Sequence, residues 1–109
     1  MSREEWVDVG PAEQVPHDEV VRFDHGDHSY AVYRTADSRY FATDGECTHG
    51  RVHLAKGFLS GVVIECAKHN GRFDITSGRA LGAPALIDLG CYDVRILDGI
   101  LQLRVGAPT

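Results

Sequence analysis

Two short stretches of this chain carry donors that could hold a metal. Cys47-Thr48-His49 stands sixteen residues before Cys66-Ala67-Lys68-His69, a C-x-H followed by a C-x-x-H. A thiolate and an imidazole from each half give two sulfur and two nitrogen donors. Zinc takes that set in closed tetrahedral sites, although such sites usually present paired cysteines and paired histidines, which this chain does not. A [2Fe-2S] cluster takes it when two imidazoles replace two thiolates on one iron. Spacing alone admits both.

Those donors must be aimed by what surrounds them. Gly45 and Gly50 flank the first half and Gly71 follows the second, and glycine permits the tight backbone that brings two ligands to one point from few residues. The flanking segments alternate apolar and polar residues with period two and are rich in β-branched and aromatic types: Glu19 to Phe23, Ser29 to Arg34, Arg39 to Thr43, and Val62 to Cys66. Residues 92–97 and 100–105 flank Asp98-Gly99, a dipeptide suited to the positive φ angles of a two-residue hairpin turn. Polar turns are expected at residues 24–27, 35–38 and 75–78. Pro11 to Gln14 could form one helical turn, stopped by Pro16. Strand spacing near ten residues predicts an all-β fold of antiparallel sheets, barrel or sandwich, with loops 45–54 and 67–71 meeting at one tip.

The rest of the composition narrows the function. The 109 residues, 43% of them hydrophobic and 25% charged, make one soluble domain over residues 1–109. A net charge of -5 has the wrong sign for a protein that tracks phosphate backbones, so no nucleic acid is expected as a partner. The N-terminal residues lack an apolar signal core and no run reaches the roughly 18 apolar residues of a membrane span, which reads as cytoplasmic. Three cysteines are too few and odd in number for a disulfide framework. No Gly-rich phosphate loop follows a strand and no nucleophile elbow is present, so hydride-carrying cofactors have no evident site.

Several other residues invite chemistry and read better as structure. Cys91 begins a strand with no histidine near it and fits a small apolar packing role. His17, His25, His28 and His53 invite a second metal site, but His25 and His28 lie in a polar hairpin turn and His53 reads as a loop residue. Asp44 and Glu46 read as a solvated acidic face. Trp6, Tyr30, Tyr33, Tyr40 and Phe41 fit strand packing.

Cys47-Thr48-His49-Gly50, the run from Cys66 to Asp74, and Gly82-Ala83-Pro84 together resemble the Rieske-type [2Fe-2S] ferredoxins of bacterial multicomponent, aromatic-ring-hydroxylating oxygenases. The resemblance extends over nearly the whole chain. It implies the Rieske fold, with Cys47 and Cys66 on one iron, His49 and His69 on the other, and Pro84 in a third loop covering the cluster. It also implies a monomeric one-electron carrier, with a flavin-containing reductase as donor and a terminal oxygenase as acceptor. Ala67 and Asn70 depart from the commoner proline and glycine of the family. Arg51 and Lys68 stand where high-potential relatives have a disulfide, and Gly71 and Phe73 where they have serine and tyrosine hydroxyls. Their absence implies a potential at the low end of the Rieske range, about -150 mV. Two other readings stay open: a Rieske-like small subunit of an assimilatory nitrite reductase, and a zinc-stapled structural module.

Overall fold

The structure, a computed structural model, describes residues 5–48, 50–68 and 70–108. In chain order its strands are β1 (Glu5–Pro11), β2 (Glu19–His25), β3 (His28–Arg34), β4 (Tyr40–Asp44), β5 (Phe58–Ser60), β6 (Val63–Glu65), β7 (Arg72–Asp74), β8 (Cys91–Tyr92), β9 (Val94–Leu97) and β10 (Ile100–Val105). They form three sheets, ordered β1-β10-β9, β2-β3-β4-β8 and β5-β6-β7. Every strand pairing is antiparallel.

Strand β3 shows how the layers are assembled. Successive side chains on a strand point to opposite faces. Tyr30 and Val32 enter one core, with Ala42, Leu101, Leu103 and Val105. Ala31 and Tyr33 enter the other, with Cys47, Leu54, Ile64, Cys66 and Phe73. The middle sheet is therefore buried on both faces, between the sheet of the chain ends (the base) and the sheet that carries the predicted metal loops (the tip). The Tyr33 hydroxyl shares a 2.8 Å hydrogen bond with the Thr43 hydroxyl, both side chains being fully buried.

The predicted hairpin turn is present, with φ of 52° at Asp98 and 79° at Gly99. The expected helical turn is a 3-10 turn, Ala12–Gln14. Residues 92–97, read from sequence as one strand, are divided between two sheets. Cys91 and Tyr92 pair with β4, whereas Val94–Leu97 pair with β10. Asp93 is the pivot: its carbonyl accepts from the Arg104 amide at 3.0 Å and its carboxylate meets the Arg104 guanidinium at 3.1 Å. Strands β1, β5 and β7 were not foreseen. The last two are three residues long, like β6, but lack the β-branched run of residues 62–64 that marked it.

Candidate metal centre

The two cysteine loops are built alike. The Cys47 amide donates to the Val52 carbonyl at 2.9 Å, and the Cys66 amide donates to the Gly71 carbonyl at 2.7 Å. Each cysteine thus opens a loop closed by the carbonyl five residues on. The residue before each closure is left-handed, Arg51 at φ 56° and Asn70 at φ 59°. Asparagine tolerates that region better than most non-glycine residues, which explains how Asn70 can stand there without glycine. His49 and His69 fall within these loops and lie outside the described residues.

Cys47 and Cys66 are 3% and 1% exposed and form no disulfide. Their side chains are in hydrogen-bond contact. Burial pushes the Cys66 thiol up, and the bond and charge of Cys47 push it further, partly offset by a hydrogen bond from the Lys68 backbone. Two facing thiols in so apolar a setting become thiolates together only beside a cation, so the pair fits a metal or an iron-sulfur cluster. Space is reserved around them. A Cβ at Gly71 would lie 3.3 Å from the Ala85 Cβ and 3.9 Å from the Cys47 Sγ.

The third loop, the segment that holds Pro84, packs against the core of this pair through Ala85. It carries a cis Ala83–Pro84 bond, and Ala85 is fully buried. The Thr48 hydroxyl donates to the Ile87 carbonyl at 2.6 Å, tying the cover to the first metal loop. Leu81, Leu86 and Ile87 remain exposed on it, Leu86 by 78%.

Other candidates are held elsewhere. Cys91 lies on β8 opposite Thr43, its thiol pushed up to about 11 by burial and by the Asp44 and Asp74 charges. The His17 ring bonds the Ser38 hydroxyl at 2.8 Å. His25 and His28 face each other as the last pair of the β2-β3 ladder. Asp44, expected on a solvated face, is structural instead. Its Oδ1 accepts from the Tyr92 hydroxyl at 2.6 Å and bonds His28 Nε2 at 2.9 Å, and its Oδ2 accepts from the Gly90 amide at 2.9 Å. His53 is buried at 7% exposure, a role that sequence reasoning missed. Its signal was weak: one imidazole ahead of Leu54-Ala55-Lys56, a segment too short to read as a helical turn.

Comparison with known proteins places this geometry. Residues 5–93 match the model of the Rieske [2Fe-2S] domain. The ferredoxin component of a 2,4-dinitrotoluene dioxygenase system from Burkholderia sp. (strain RASC) is 39% identical over 94% of this chain and 97% of its own length. Among solved structures, a complex of reduced oxygenase and oxidized ferredoxin in carbazole 1,9a-dioxygenase superposes with a TM-score of 0.88, at 32% identity, covering 95% of each chain. A nitrite reductase small subunit from Mycobacterium tuberculosis superposes at 0.86 over 97% of this chain and 99% of its own, but at 14% identity that likeness shows the fold alone.

Proposed function

The chain belongs to the Rieske [2Fe-2S] domain family, and from that premise we propose that it is the ferredoxin of an oxygenase system acting on an aromatic compound. It carries one electron at a time from a flavin-containing reductase to a terminal oxygenase. Its cofactor is a Rieske-type [2Fe-2S] cluster. When bound, that cluster accepts and returns a single electron.

The chain's own residues supply the setting. Cys47 and Cys66 would hold one iron and His49 and His69 the other, with residues 1–109 acting as a single domain and a monomer in the cytoplasm. Gly71, close to Cys47, and Phe73, fully buried on β7, offer no hydroxyl to a sulfur. Added charge therefore goes unstabilised by such bonds, which supports a potential near the low end of the family range, about -150 mV. The exposed Leu81, Leu86 and Ile87 give the cover loop an apolar face next to the metal loops, suited to brief docking on a larger partner.

The observation that carries the reading is the pair of buried, facing thiols in two loops of like construction. Visible and electron paramagnetic resonance spectra test it, with iron and labile sulfide measured on the same sample. One [2Fe-2S] cluster per chain is expected, reducible by a ferredoxin reductase and reoxidised by a terminal oxygenase. Stoichiometric zinc without sulfide after iron-replete expression overturns it.

A further inference from the structure

His53 lies four residues past His49 and outside the proposed ligand set, yet both its ring nitrogens are engaged. Nδ1 accepts the Ala55 amide at 3.0 Å, which caps the 3-10 turn Leu54–Lys56. In the neutral ring the proton then resides on Nε2, which donates to the Ser29 hydroxyl at 2.8 Å. Ser29 in turn donates to Asp24 Oδ1 at 2.6 Å, and Asp24 also accepts from the Arg22 guanidinium at 3.0 Å. Donors run in one direction from the Ala55 amide to the Asp24 carboxylate, across three segments of chain.

The ring is wedged at the root of the first metal loop. A Cβ on Gly45 would come within 2.5 Å of His53 Nε2 and 2.9 Å of the Ser29 carbonyl oxygen. The Gly45 amide donates to that carbonyl at 2.9 Å, and the Gly45 carbonyl accepts from the Leu54 amide at 2.8 Å. Both arms of the loop therefore leave from one block of Ser29, Gly45 and His53.

We propose that His53 is the positioning residue of the first metal loop: its neutral imidazole, fixed between the Ala55 amide and Ser29, sets the path of the segment that carries Cys47 and His49. This rests on the ligand reading above. Burial favours the neutral ring that the bond pattern needs. Arg22 and Lys56 push the same way, and Asp24 and Glu46 oppose them.

A ring that only filled space would be indifferent to Ser29, whereas a positioning ring depends on it. Ser29→Ala removes the acceptor and leaves the ring. His53→Asn keeps a cap for the Ala55 amide and gives up the reach to Ser29. The holoprotein, both single variants, the double variant and Leu103→Ala from the opposite core are compared by the g-values of the reduced cluster and by its rate of loss in a chelator. Ser29→Ala and His53→Asn are expected to shift the g-values alike and to speed loss about fivefold, the factor one net hydrogen bond carries. The double variant should be no worse than either single, and Leu103→Ala should lower the melting temperature with g-values unchanged. Should His53→Asn fail to fold, Ser29→Ala against wild type decides. A cluster indifferent to Ser29→Ala, or single effects that multiply in the double variant, overturns the proposal. A wild type without the [2Fe-2S] signature overturns the ligand reading and this inference with it, an outcome distinct from a cluster that is present and indifferent.

Discussion

The two cores on either side of β3 are held by different means. The core shared with β10 draws on strands of five to seven residues, whose alternation supplies Tyr30, Val32, Ala42, Leu101 and Leu103. The core at the tip sets the other face of β2 and β3 against strands of three residues and loops. There, backbone bonds outside the short ladders join the segments: Leu54 to Gly45, Leu81 to Arg72 and Leu89 to Gly78. Long ladders make a base that is stable on its own side chains. The tip instead encloses two thiols and owes part of its order to what they bind, because metal binding free energy is also folding free energy.

The strongest way to break that contrast is to remove the metal donors. Cys66→Ser should abolish the cluster, and Cys91→Ala should keep it, as read by visible absorption. In the cluster-free protein the amides of Leu54 and Cys66 should exchange with solvent far faster, while those of Val32 and Leu103 stay protected. Equal loosening of both ends would show that the base is no independent scaffold. The next effect sets one truncation against another. Phe73→Ala and Leu103→Ala each empty a fully buried site and should cost about 3–5 and 2–5 kcal/mol. Only Phe73→Ala should also lose the cluster, and retention in both variants would mean that the tip does not rely on its core.

The same contrast decides what could be read in advance. Strands β2, β3, β4 and β10 were legible because each repeats its apolar positions over at least two turns of the pleat, and Asp98-Gly99 announced its hairpin through backbone chemistry. Cys47 and Cys66 were legible as types at a spacing. What periodicity cannot carry is a side chain whose partners lie far along the chain. Asp44 meets Gly90 and Tyr92 across 46 and 48 residues, and His53 meets Ser29 across 24. Asp93 is a related case, since a strand that changes sheets looks like one continuous run until Arg104 is placed beside it.

A smaller change sharpens the electrostatics of the tip without emptying it. Phe73→Tyr adds one hydroxyl in a fully buried site that the family resemblance sets beside a sulfur. A bond donated to sulfur favours the more negative, reduced state, so the potential should rise, as voltammetry on an electrode would record. The matching change in the base, Tyr40→Phe, deletes the bond to the Ala12 carbonyl and should cost about 1 kcal/mol of stability with no change in potential. A potential that moves with Tyr40 would join two regions that the cores keep apart.

The smallest expected effect concerns acid. Burial lowers the His53 pKa below its ordinary value of about 6.5, so the unfolded chain takes up the proton before the folded one does. Above about pH 6.5 both states are neutral at this position and stability has no slope from it. As pH falls from there toward the folded pKa the unfolded state gains protons alone, and the unfolding free energy declines. Asp24 acts in a lower window: its carboxyl is held below 3.8 by the Ser29 hydroxyl and then by Arg22, so its contribution is present above about 3.8 and disappears as pH falls through the folded value. Denaturant melts from pH 7 to pH 5 isolate the first window from the second. His53→Asn should flatten the slope between pH 6.5 and 5, and Ser29→Ala should change the slope below pH 4 by releasing Asp24 toward its ordinary value. If His53→Asn leaves the upper slope as steep as in wild type, the proton is being taken up elsewhere, and the ring at the root of the metal loop titrates alike in the folded and the unfolded chain.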